Sequence, residues 1–140
     1  MFSWLDRLQP LGALIMRLTL GAIMIAHGYA KIIPRGALYN FTHTVAHLGM
    51  PAWLGYVAAF TEFFGGILLI LGLLTRVAAV GVAIDMAVAV IKVHLHGGLT
   101  GRNGQPGFEF PLALFAVSVM LVFTGAGLLS IDHVIGKGKL

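Results

Sequence analysis

Long apolar runs alternate with short polar breaks along this chain. Four runs are long enough to cross a membrane: residues 11–33, 53–74, 77–95 and 110–129. Each is near the roughly 20 residues that an α-helix needs to span a hydrocarbon core about 30 Å thick. The runs lack the alternation of a transmembrane β-barrel, and four segments are too few to close one. The pattern therefore predicts an all-α fold, an integral membrane four-helix bundle. It is antiparallel, with both termini on the same side, and forms a single domain over residues 1–140.

The breaks are unequal. LTRVA leaves almost no loop between the second and third spans, which predicts a tight hairpin around Thr75 and Arg76. PRGALYNFTHTVAHLGMP and HGGLTGRNGQPG are longer and share the opposite face, so a site or docking surface is expected there. Trp4, Trp53, Tyr29 and Tyr56 fall near span ends, where interfacial anchors belong. Gly12 and Gly21 in the first span, with Gly65, Gly66 and Gly72 in the second, are read as packing residues that let helices approach closely. MFSWLDR is nearly neutral, and no small-residue cleavage site follows the first run. That helix is expected to stay in the mature protein.

Composition supports the lipid reading. The chain is 59% hydrophobic and 10% charged, with a mean hydropathy of +0.95, against about 25% charged residues in soluble domains. A net charge of +4 does not indicate nucleic acid, because the basic residues are scattered among helix ends. Without cysteine, the chain itself supports no thiol chemistry or iron–sulfur cluster. Arg7, Arg76, Lys137 and Lys139 lie on the terminal face, and Lys31, Arg35, Lys92 and Arg102 on the loop face. The positive-inside rule therefore chooses no orientation.

Ionisable residues inside the spans are the informative ones, since a charge at the bilayer centre costs about 2.5–3.5 kcal/mol on the mildest scale. They are Arg17, His27, Glu62, Asp85 and Glu109. At about 100° per residue, Arg17, His27 and Lys31 share one stripe of the first helix, which is expected to face the interior. Arg17 is expected to meet Asp85 or Glu62, because its planar fork suits a carboxylate. His27, Lys31, His94 and Glu109 are expected to converge on the loop side, with Glu62 beneath. Such a set provides what a quinone headgroup needs: proton donors and acceptors beside an apolar slot. His43 and His47 in HTVAH, like His94 and His96 in HLH, have ligand-like spacing but no evident third ligand. HTVAH is read as part of an amphipathic interfacial helix, and no metal, haem or flavin is expected.

Arg17 followed by LGAIMIAHGYAK, FTEFFGGILLILGLLTR from Phe60, GFEFPL from Gly107 and TGAGLLSID ending at Asp132 together resemble the DoxX family of small bacterial four-helix membrane proteins. The matching positions are Arg17, His27, Gly28, Lys31, Glu62, Gly65, Gly66, Arg76 and Glu109. Asp85 and His94 enter on depth alone. The resemblance implies a multi-pass protein of the bacterial inner membrane with cytoplasmic termini. It also implies similarity to a membrane subunit of thiosulfate:quinone oxidoreductase. The expected function is a membrane component of a redox system that binds a quinone-like ligand and works with other protein subunits. His27, Glu62 and Glu109 would handle protons, while Arg17, Lys31, Asp85 and His94 would help bind. Whether the chain is itself an enzyme stays open. A non-catalytic anchor or assembly subunit, and a small-solute or proton pathway, stand as alternatives.

Overall fold

Pro10 sits in the first turn of the first long helix, where its missing N–H costs nothing. Helix α1 runs from there over Gln9–Ile32, preceded by a 3-10 turn at Leu5–Leu8. The computed structural model describes residues 2–136. Helix α2 (Ala37–His47) starts behind Gly36, whose φ of 78° lies in the left-handed region. Helix α3 covers Trp53–Leu71 and α4 covers Thr75–Val88. Helix α4 continues as a π-helix over Ala89–His94 and a 3-10 turn to Gly97. Helix α5 spans Glu109–Thr124, and the short α6 spans Ile131–Gly136. Among the described residues there is no strand, only an isolated Arg102–Gln105 bridge.

Among the described residues three helical stretches are long and apolar enough to cross a membrane: Leu5–Ile32, Trp53–Leu71 and Thr75–Gly97. Their outer faces carry Ile15, Phe64, Val77 and Ile84, all exposed where lipid would lie. The interior is a small cluster built on Leu20, Met24, Leu69, Val82, Leu114 and Leu121. In lipid such a core gains little from water exclusion, so close backbone approach has to hold the helices together. Gly21 and Gly66 make that contact reciprocally. A Cβ on Gly21 would come 2.9 Å from the Gly66 carbonyl oxygen, and a Cβ on Gly66 would come 2.8 Å from that of Gly21. Gly12, also read as a packing residue, faces open space. Trp4, Trp53, Tyr29 and Tyr56 are all exposed near helix ends.

The fourth span departs from expectation. It was expected to reach residue 129, but α5 stops at Thr124 after 16 residues. At about 1.5 Å per residue that is about 24 Å, short of a bilayer core. Gly125 and Gly127 adopt φ of 77° and 68°, and the chain turns back into the bundle instead of continuing as helix. Irregular backbone at membrane depth survives only where the protein itself satisfies its polar groups. Arg17 does so.

Arg17 is 1% exposed. Its Nη1 donates to the Ala126 carbonyl at 2.7 Å and its Nη2 to the Leu129 carbonyl at 2.8 Å. The expected pairing of Arg17 with Asp85 or Glu62 is therefore corrected: backbone carbonyls take its two terminal nitrogens, Nε stays without a partner among the described residues, and Asp132 is the acidic group whose charge acts on it. Asp132 in turn caps α4 across the chain. Its Oδ1 and Oδ2 accept the Leu74 and Thr75 N–H groups, each at 2.8 Å, while its own N–H donates to the Gly72 carbonyl. These bonds, with Leu128 N–H to the Pro10 carbonyl, tie α1, the α3–α4 turn and the C-terminal segment into one clamp on the terminal face. Lys137 and Lys139, counted on that face, lie outside the described residues.

Burial alone would raise the Asp132 carboxyl. The hydrogen bonds from Thr75 and Leu74 and the Arg17 charge outweigh it and hold the group below its ordinary value. A depressed carboxylate contributes stability above its unfolded value of about 3.9, and that contribution is lost as pH falls through the folded value. Thermal unfolding in detergent should show wild-type stability declining below about pH 4, with Asp132→Asn flattening that decline. Arg17→Leu takes the partners from two part-buried carbonyls, at roughly 1–3 kcal/mol each where lipid covers them, so a loss of about 2 kcal/mol is expected. Unfolding of Arg17→Leu within error of wild type would refute the clamp.

Candidate functional site

The buried charges sort by helix contact. Gly28 of α1 sits against α3 so tightly that a Cβ there would collide with the backbone of Phe63. This approach brings Lys31, one turn further along α1, to Glu62 on α3. Lys31 Nζ donates to Glu62 Oε1 at 2.5 Å. Glu62 is 3% exposed, and the Lys31 side chain keeps 25% of its surface open toward the loop face. Phe41 of α2 covers the ammonium, its ring centroid 4.4 Å from Nζ, a cation–π contact that partly replaces lost hydration. Helix α2 is held over α3 by Thr42, which packs on Gly55.

Asp85 of α4 completes the cluster. Its carboxyl faces that of Glu62 and lies within the field of Lys31. Glu62 Oε2 and Asp85 Oδ2 are both buried with no hydrogen-bond partner among the described residues. Buried polar atoms ordinarily find partners, and an orphaned carboxyl oxygen costs free energy unless a proton, water or ligand group meets it. Three helices thus converge on one lysine and two carboxyl groups, within spans otherwise lined by apolar side chains.

Other expected members of the site lie elsewhere. His27 does not share the interior stripe with Arg17 and Lys31. It is exposed, and its ring lies 5.9 Å from that of Phe110 on α5. The physical reason is helix rotation: Gly28 and Met24 occupy the inward face, which leaves His27 toward lipid. Glu109 is exposed at the start of α5, where its N–H donates to the Leu99 carbonyl. His94 folds back on its own helix, with Nδ1 3.1 Å from the Ala89 carbonyl oxygen. A carbonyl only accepts, so Nδ1 carries the proton and Nε2 is left as the free acceptor. The expected loop-side convergence of His27, Lys31, His94 and Glu109 is therefore replaced by the deeper Lys31–Glu62–Asp85 cluster. Among the described residues no group of three or more His, Cys, Asp or Glu side chains has the geometry to hold a metal. His43 and His47 are exposed on α2.

One feature escaped sequence reasoning. The clamp on Arg17 uses backbone carbonyls, which carry no residue signature. Its only cues were Gly125 and Gly127 near the end of an apolar run. The inward reach of Lys31 was expected from the helix stripe, and Gly28, a small residue one turn away, is what lets α3 come near.

The DoxX family profile matches residues 12–95. That region contains Arg17, His27, Lys31, Glu62, Asp85 and His94, and excludes Glu109 and the carbonyl half of the clamp. The chain is similar to the Bacillus subtilis protein named "Putative oxidoreductase CatD". The two are 32% identical over 129 residues, covering 92% of this chain and 90% of that protein. It is also similar to "Uncharacterized membrane protein Rv3486" of Mycobacterium tuberculosis, at 29% identity over 91% of this chain and 83% of that one. "Inner membrane protein YqjF" of Escherichia coli is 25% identical, covering 95% and 98%. No solved structure matches the chain.

Breaking a buried ion pair by removing one partner costs about 3–5 kcal/mol, whereas replacing both by apolar groups is often neutral. Lys31→Met should therefore destabilise the detergent-solubilised protein strongly, and Lys31→Met with Glu62→Leu should recover most of the loss in a double-mutant cycle. Purely additive effects would show that the two side chains are not coupled.

Proposed function

This chain belongs to the DoxX family, and from that premise and its buried cluster we propose that it is the membrane component of a redox system, binding a quinone-like ligand between its helices. The observation carrying this reading is the pair of orphaned carboxyl oxygens beside Lys31, inside helices otherwise surrounded by lipid-facing side chains. Intramembrane ionisable residues that face a bundle interior are by default candidates for substrate, ion or proton sites. A quinone, when bound, takes up two electrons and two protons at its carbonyl oxygens, and the residues present fit that demand. Lys31 is the exposed edge of the cluster and can donate to a carbonyl oxygen. Glu62 and Asp85 lie behind it and can hold the proton that replaces the one given up. Electrons come from a partner subunit that carries its own redox centre. The oxidoreductase name of the Bacillus subtilis relative agrees with this assignment. The protein resides in the bacterial inner membrane with both termini in the cytoplasm, which places the clamp on the cytoplasmic face and the lysine mouth on the other.

Purification in mild detergent, followed by quinone extraction and mass spectrometry of co-purifying proteins, tests the reading. Wild type should retain quinone and a redox partner. Glu62→Gln should lower quinone-linked turnover of the assembly at least tenfold, about 1.4 kcal/mol of barrier, while the partner stays bound. Unchanged turnover in an intact assembly would make the chain a membrane anchor instead. Ion flux through vesicles holding this chain alone would make it a proton or solute pathway.

A further inference from the structure

The loop face carries a second feature, separate from the Lys31 cluster and independent of the quinone reading. A cleft of about 660 Å³ opens between the end of α2 and the end of α4. His47 and Leu48 line it from α2 and its C-terminus. Ile91, Lys92 and His96 line it from the end of α4, and Gln105 closes it from the third connection. No acidic side chain is among the lining residues, and the two imidazoles beside Lys92 can each add a hydrogen-bond donor.

The backbone is shaped for this arrangement. Ile91, Lys92 and Val93 are consecutive, yet all line the cleft. In a regular helix, consecutive residues point in different directions. Residues 89–94 are instead a π-helix, whose wider turn brings successive side chains closer together around the axis. Such segments are rare and are frequently found at functional sites. Here His94, through Nδ1 and the Ala89 carbonyl, is folded back onto the distorted turn, with Lys92 and Ile91 turned to the cleft.

We propose that this cleft binds the headgroup of an anionic phospholipid. Its volume lies within the roughly 300–1,000 Å³ typical of small-molecule sites, and is more than a bare phosphate fills. Its position at the end of a membrane span puts it at headgroup level. Lys92, His47 and His96 supply the cationic and donor groups for a phosphodiester, and Gln105 donates to a glycerol or ester oxygen. Ile91 and Leu48 give the first methylenes of an acyl chain an apolar wall.

Native mass spectrometry of the full chain in neutral detergent, with phosphatidylglycerol and phosphatidylcholine of matched acyl chains, tests the proposal. Wild type should retain phosphatidylglycerol preferentially. Lys92→Gln should reduce that preference about fivefold, the value of roughly one basic residue at a membrane surface, and adding His96→Gln should reduce it further. Both side chains are exposed, so thermal unfolding should not change. His47→Gln, on the other helix, should weaken binding independently. Arg35→Gln removes one charge from the same face outside the cleft. An equal loss with that variant would mean diffuse surface charge and would overturn the site. Equal retention of both lipids by wild type would overturn it too. So would displacement of phosphatidylglycerol by millimolar inorganic phosphate, which would identify a free phosphate as the ligand.

Discussion

A bilayer offers no water to a buried polar group, and most of what this chain builds answers that one constraint. Arg17 is tolerated because it finds carbonyls that also lack partners. The segment after α5 leaves the helix at membrane depth and exposes the Ala126 and Leu129 carbonyls, and the guanidinium takes both. Each side of this exchange would be costly without the other, and together they fix the register of α1 against the C-terminal segment. Asp132 repeats the logic for donors, accepting the unpaired N–H groups at the start of α4. A buried cation and an irregular backbone are thus one feature of the fold.

The second answer is positional. The Gly21–Gly66 contact and the Gly28–Phe63 contact hold α1 and α3 at a separation that larger side chains would forbid. That separation is what lets Lys31 reach Glu62. Packing glycines and buried charges are therefore not independent properties of the sequence, because the first set the distance at which the second interact. An alanine at position 28 would act on the site as surely as a change at Lys31, although it touches no charge.

Fold and site were legible to different depths. Spans, antiparallel order and the tight α3–α4 turn follow from hydropathy and loop length, which report directly on lipid contact. The end of α5 did not, because hydropathy cannot distinguish an apolar helix from an apolar segment that folds back, and 125–129 is apolar either way. Of the ionisable residues expected inside, Arg17, Glu62 and Asp85 are interior and His27 and Glu109 are exposed, and the partner of Arg17 was not legible. A helical wheel places His27 within about 40° of Lys31, yet that small rotation separates the α1–α3 interface from lipid, and Gly28 and Met24 decide which side is inward. Arg17 misled for another reason: a carboxylate is visible in a sequence, whereas a carbonyl freed by a broken helix is not.

The charge count of the Lys31–Glu62–Asp85 cluster closes the connection between burial and chemistry. One ammonium beside two carboxyl groups sums to zero only when a single proton resides on the carboxyl pair. A buried net charge is what the surrounding lipid most strongly resists. Cluster and lipid together therefore favour a state in which the carboxyl pair keeps one proton beside the lysine. The constraint that accounts for Arg17 thus bears on this cluster too: carbonyls take both terminal nitrogens of the guanidinium and leave its Nε without a partner, while the two facing carboxyl groups can share one proton between them.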